Sequence, residues 1–96
     1  MANMQLQDRS LLRDKAYVDG RWIGADNGRS FAVDDPGDGG EITKVPDLGV
    51  AETRRAIESA NTVYRAWREK TAKERAAVLR RWYDLIIQNK GDLAVL

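Results

Sequence analysis

Carboxylates, arginines and tryptophans are the groups in this sequence with chemistry to offer, because cysteine and histidine are both absent. Their absence removes thiolate nucleophiles, disulfides and the usual zinc ligand sets, together with Ser/His and Cys/His systems. The adjacent acids Asp34 and Asp35 are candidates to hold a cation. A calcium loop needs oxygen ligands at alternating positions closed by a bidentate Glu, and Asp38 and Glu41 do not complete that spacing. Neighbouring acids in a Gly-rich turn also act as turn formers, and that reading fits the pair better. Gly37, Gly39 and Gly40 invite comparison with a phosphate cradle. No Lys-Ser/Thr follows them, however, and the run does not open a helix in the GxGxxG manner.

Glu52, Glu58, Glu69 and Glu74 are the acids to consider as a general base. None has a polarising partner visible in the sequence, and all fall where exposed helix faces are expected, so no catalytic role is assigned. Arg80-Arg81 could grip a phosphate or carboxylate, although paired arginines on a helix more often divide between solvent and an ion pair. Trp22, Trp67 and Trp82 could line a ligand surface. Two of them sit on or beside helical apolar stripes, so core packing is the expectation.

These residues need elements to position them. Residues 1–10 read as a flexible arm, with Leu11 and Leu12 as the first apolar pair. Asp19-Gly20 lies between the β-prone runs Ala16-Tyr17-Val18 and Arg21-Trp22-Ile23. This is a hairpin signal, since both central residues of a type I′ turn need positive φ. A polar loop at 24–29 leads to a strand at Phe31-Ala32-Val33, and a turn-rich segment leads to another at Glu41–Val45, ended by Pro46. A helix is predicted over about Val50–Trp67, with Ala56, Ile57, Ala60, Val63, Tyr64 and Trp67 on one stripe. A second opens on the capping box Thr71-Ala72-Lys73-Glu74. Its stripe of Ala72, Ala76, Leu79, Tyr83, Ile86 and Ile87 is widened by Val78, Trp82 and Leu85, which predicts burial on two sides. Asn89-Lys90-Gly91 should end it. Asp92 then has the character of an N-cap for a third helix, whose apolar run is cut at Leu96. The expectation is therefore the amino-terminal piece of a larger protein.

The net charge of +1 gives no overall pull toward nucleic acid or an anionic membrane. Its distribution is uneven. Residues 1–49 carry six Lys/Arg against nine Asp/Glu, and residues 50–90 carry ten against five. The basic half admits one alternative function, a stand-alone helical-hairpin binding module with RNA as its candidate ligand, using Arg54, Arg65, Arg68, Lys73 and Arg80. No aromatic stacking motif accompanies these arginines, so nucleic acid is the weaker reading. No apolar run approaches the roughly 20 residues needed to cross a bilayer, and the N-terminus lacks a signal-peptide core. A cytoplasmic location is expected.

The order of segments carries a resemblance. Tyr17-Val18-Asp19-Gly20-Arg21-Trp22 resembles the "ING-x-W" hairpin near the start of aldehyde dehydrogenases, and Phe31–Gly39 resembles that family's "F-x-V-x-N-P-A-x-G" turn. Ile42–Pro46 is similar to the strand that follows, Gly49–Ile57 to the first long helix, and Trp67–Ala76 with Leu79–Ile86 to its continuation into the second. Lys70-Thr71-Ala72-Lys73-Glu74-Arg75 is similar to the succinate-semialdehyde dehydrogenase branch. The sequence departs from the pattern at Asp35, where Asn is usual, and at Gly40, yet the spacing from Val33 to Pro46 is kept.

The resemblance implies an α+β fragment of the α/β aldehyde dehydrogenase fold: short N-terminal strands with a hairpin, two long amphipathic helices and a truncated third. Residues 11–96 would be an incomplete N-terminal portion of the cofactor-binding domain. The parent enzyme would oxidise an aldehyde with NAD or NADP, using a cysteine nucleophile, a glutamate base and an asparagine side chain with a backbone N–H at the oxyanion. All of these are expected downstream, so no catalytic or cofactor-binding residue is assigned here, no cofactor is expected on this piece, and it is expected to be inactive alone. In some members the backbone carbonyls matching Val33 and Asp34 bind a structural monovalent cation. The expected partners are the remainder of the same chain and further copies of the parent, with no membrane. Apolar faces left open would favour self-association of the piece.

Overall fold

The computed structural model describes residues 4–96, which divide into two compact units. In the first, residues 13–60, β1 (Ala16–Val18) pairs antiparallel with β2 (Arg21–Ile23). Asp19 and Gly20 have φ of 51° and 74°, the two left-handed positions that the hairpin requires. Tyr17 lies opposite Trp22 with ring centroids 4.9 Å apart, and the Arg13 guanidinium stands 4.4 Å above the Trp22 ring. This cross-strand aromatic pair holds the register of a hairpin too short to be held by its ladder alone.

β3 (Ser30–Asp34) and β4 (Glu41–Pro46) form a second antiparallel pair. Their turn closes through Asp35 N–H donating to the Gly40 carbonyl and Gly39 N–H donating to the Asp35 carbonyl, both at 2.7 Å. The side chains of Asp35 and Asp38 accept from the N–H groups of Gly37 and Gly40 at 2.7 and 2.8 Å. Asp35 thus makes the Asx turn expected of it. Gly39 takes a φ of 75°, which an ordinary side chain would resist.

α1 (Val50–Glu69) extends two residues past its predicted end. The second unit contains residues 4–12 and 61–96, with α2 (Ala72–Gln88) and α3 (Lys90–Val95). The capping box forms as predicted: Glu74 N–H donates to Thr71 Oγ1 at 3.1 Å, and Thr71 N–H donates to the Glu74 carboxylate at 3.2 Å. Arg75 adds a device the sequence reading missed. Its guanidinium donates to the carbonyls of Arg68 and Lys70 at 3.0 and 2.8 Å, filling acceptors left open where α1 ends. Residues 61–69 of α1 and the helix α2 are joined by this polar turn and do not pack along their lengths as a hairpin.

Two expectations are corrected here. Gly91 does not end a helix and Asp92 is not an N-cap. The break falls at Asn89, and helix resumes at Lys90 because Gly91 does not take the left-handed conformation that stops a chain. The Asp92 carboxylate instead accepts from the N–H groups of Gln7 and Asp8 at 2.8 and 2.9 Å. Asp8 in turn caps a 3-10 turn at Arg9–Leu11. Residues 1–3 of the expected arm lie outside the described residues.

The second correction concerns the tryptophans. Among the described residues no hydrophobic side chain is buried; Trp82 is 62% exposed and Trp22 is 43% exposed. Trp67 is half-buried. The apolar stripes exist as predicted, but most of their large side chains are exposed. Helix ends are therefore held by caps rather than by packing. Thr71→Ala should reduce the stability of α2 by about 1 kcal/mol, read as faster amide exchange at Glu74.

Candidate functional site

Glu52 is the only buried polar residue described, at 8% exposure, and it sits at the third position of α1. One carboxylate oxygen accepts from Gly49 N–H and the other from Asp26 N–H, each at 3.2 Å. The first bond is half of a capping box; glycine has no side chain to return the other half. Thr53 completes the helix start by donating its hydroxyl to the Gly49 carbonyl at 2.9 Å. The second bond reaches 26 residues back in sequence to the loop after β2. Asp26 then returns a contact to the same helix, its carboxylate 2.7 Å from Arg55 Nη2. That pair is half exposed, so it orients the loop more than it stabilises it.

The exposed face predicted for Glu52 is thus overturned, while Glu74 serves only as a cap. The spacing Gly49-Val50-Ala51-Glu52 carried the missed signal, because a Glu three residues after an N-cap reaches back to it whether or not the cap has a side chain. The Glu52 carboxyl is held below its ordinary range. The first cause is its own backbone N–H and the next is that of Asp26, with Gly49 and the Arg55 charge acting the same way against burial. The Arg55 guanidinium is pushed up by its hydrogen bond to Asp26 and by that carboxylate's charge.

Val33 and Asp34, the expected cation ligands, lie at the end of β3. Val33 pairs with Thr43 and Asp34 with Glu41, so Ile42 is an extra residue on β4 at this step. Such a bulge interrupts the ladder. Carbonyl oxygens there are hard donors of the type that alkali and alkaline-earth cations prefer. Among the described residues no group of three or more acidic side chains is arranged to hold a metal.

The N-termini of both long helices are filled by the chain's own carboxylates, Glu52 and Glu74. The basic residues of the nucleic-acid alternative are partly engaged within the chain. Arg65 pairs with Glu69 at 3.6 Å, Arg80 pairs with Asp84 at 3.4 Å, and Arg68 stacks on Tyr64. With residues 61–69 and α2 not packed together, the hairpin that this alternative required is not formed.

Comparison with known proteins agrees with the order of segments. The Aldehyde dehydrogenase family matches residues 22–96, and the chain belongs to that family. It is 57% identical over 93 residues to a glutarate-semialdehyde dehydrogenase of Pseudomonas aeruginosa, covering 97% of this chain and 19% of that protein. It is 44% identical over 93 residues to the NADP(+) succinate-semialdehyde dehydrogenase of Escherichia coli, with the same coverage. Its fold is similar to the crystal structure of a succinate-semialdehyde dehydrogenase from Burkholderia pseudomallei, with a TM-score of 0.89 and 54% identity over 93% of this chain and 18% of that one. The aldehyde dehydrogenase of Brucella melitensis gives a TM-score of 0.93 at 45% identity, covering 97% and 19%. The α+β arrangement of short strands and helices is thus a part of the aldehyde dehydrogenase fold. The chain spans about a fifth of the length of the curated relatives it matches.

The sign of the Glu52 effect gives a prediction. A carboxyl with a lowered folded value contributes stability that is complete at neutral pH. That stability is lost as pH falls from the ordinary glutamate range through the lowered one, because the unfolded chain takes up the proton first. Amide exchange, corrected for its intrinsic pH dependence, should show Asp26 and Gly49 N–H losing protection together in that window. Glu52→Ala should remove both protections at neutral pH. Glu52→Gln, which keeps a single oxygen acceptor, should retain only one.

Proposed function

We propose that these residues form the leading segment of an NAD(P)-dependent aldehyde dehydrogenase that oxidises a short semialdehyde bearing a distal carboxylate, with succinate semialdehyde as the first candidate and its glutarate homologue as the second. The observation that carries this is identity of 44–57% over 93 residues to enzymes named for those two substrates. Such a substrate joins an electrophilic carbon to a fixed negative charge a few bonds away, so its pocket needs a nucleophile and a cationic anchor. The proposal puts the nucleophile, base and nicotinamide cofactor in the rest of the enzyme; the lack of cysteine in this chain supports that for the nucleophile. When bound, the cofactor supplies a hydride acceptor; the residues present here frame the domain and do not meet it.

A cytoplasmic homo-oligomer is the state proposed for the parent. No described helix is long and apolar enough to cross a membrane. Val33 and Asp34 are assigned as two backbone-carbonyl ligands of a structural monovalent cation, the others coming from the rest of the enzyme. The 96 residues alone are assigned no activity and a tendency to self-associate through their open helix faces.

Two measurements test this reading. Succinate and glutarate semialdehydes should each drive NAD(P)H formation by the full-length enzyme, whereas the 96-residue chain should form none with any aldehyde. Absence of turnover by the long enzyme with both compounds would sink the substrate assignment. The melting temperature of the full-length enzyme should rise with sodium or potassium at constant ionic strength set by a bulky organic cation. No difference among these salts would remove the cation assignment.

A further inference from the structure

Asn27 is the one asparagine in the sequence that is followed by glycine. A backbone amide nitrogen can attack the side-chain carbonyl carbon of the asparagine before it, and glycine leaves that approach unhindered because it carries no side chain. Asn27 and Gly28 are both exposed, in the loop between β2 and β3. Gly28 has a φ of 74°, and nothing lies within 4 Å of where a side chain would begin. The Asn27 side-chain oxygen accepts from Arg29 N–H at 2.9 Å. That bond folds the carboxamide back over the Gly28 peptide group and draws electrons from the carbon to be attacked. Asp19-Gly20 and Asp38-Gly39 offer the same spacing, but a carboxylate repels an amide nucleophile and lacks a ready leaving group.

The loop also restrains this chemistry. Gly28 N–H donates to the Ala25 carbonyl at 2.9 Å, which closes a turn over residues 25–28. An N–H so engaged must be released before it can lose its proton. Asp26, the second residue of the turn, is pinned to α1 by its N–H on Glu52 and its carboxylate on Arg55. The turn opens freely only when this clamp lets go, and the reaction rate follows the open fraction. We infer that Asn27 is a self-modification site, converted through a succinimide closed by the Gly28 nitrogen, and that the clamp of Glu52, Asp26 and Arg55 sets its pace. The Gly28 nitrogen gives its proton to a solvent base and bonds to Asn27 Cγ. The Cγ–Nδ2 bond breaks, and the departing nitrogen takes a proton from solvent and leaves as ammonia. Water then opens the ring at either carbonyl, giving aspartate or isoaspartate with no oxidant or reductant. Both products add a negative charge next to Asp26. Isoaspartate also inserts a carbon into the backbone between residues 27 and 28, so the turn cannot close as before.

The test is incubation of the full-length enzyme in mildly alkaline buffer, then brief tryptic digestion near neutral pH. Cleavage after Arg21 and Arg29 releases peptide 22–29, which is weighed and its isomers separated by chromatography. It should gain one dalton in two products, while the peptides carrying Asn61 and Asn89 gain nothing. A synthetic peptide 22–29 should react about tenfold faster than the enzyme, the factor expected when a loop loses a hydrogen bond to a charged group. Glu52→Ala should bring the enzyme close to the peptide's rate. Arg55→Ala, which removes only the half-exposed pair, should accelerate it about twofold. An enzyme that gains no mass while the peptide is fully converted would overturn the site. An enzyme as fast as the peptide would overturn the clamp's control. So would an unchanged rate in Glu52→Ala, or in Arg55→Ala where the first variant does not fold.

Discussion

The Glu52 carboxylate organises the first unit. It is removed from water where no described hydrophobic side chain is, and it can be so because its two oxygens meet backbone N–H donors that would otherwise lack partners. One donor belongs to the start of α1 and the other to the loop after the first hairpin. A single side chain therefore caps a helix and ties down a distant segment. Asp26 answers with its own carboxylate on Arg55, so loop and helix grip each other through two bonds of opposite direction. Neither bond depends on apolar packing.

The second unit repeats this economy with other residues. Thr71 and Glu74 start α2, Arg75 seals the end of α1, and Asp92 holds the backbone at Gln7 and Asp8. Every one of these links joins a charged or hydroxyl side chain to main-chain groups. A family segment that must keep its local shape while presenting apolar faces elsewhere is served by such links, because they leave the apolar faces free.

Local features were legible in the sequence and long-range ones were not. Asp19-Gly20, the Asp35 turn and the Thr71-Glu74 box each depend on residues within a few positions, and all three formed as read. The order of these segments sufficed to indicate the family. The use of Glu52 could be half seen, since its bond to Gly49 is local, but the bond to Asp26 spans 26 residues and no periodicity reports it. Arg75 was read past because a basic residue in the first turn of a helix has no obvious task on its own helix; its task is on the one before. The Asp92 misreading followed from treating Gly91 as a stop. Glycine ends a helix only when its left-handed freedom is used, and here it is not. The tryptophans were placed in a core because the apolar stripes were right, and the stripes alone could not say whether the covering layer lay within these residues.

That absence of buried apolar side chains has a calorimetric consequence. The heat-capacity increase on unfolding scales with apolar surface newly exposed to water, and most large apolar side chains of the described residues are already exposed in the fold. The stability curve of this segment taken alone should therefore be flatter in temperature than that of an ordinary globular domain of its size, with fuller curvature where its helices meet apolar partners.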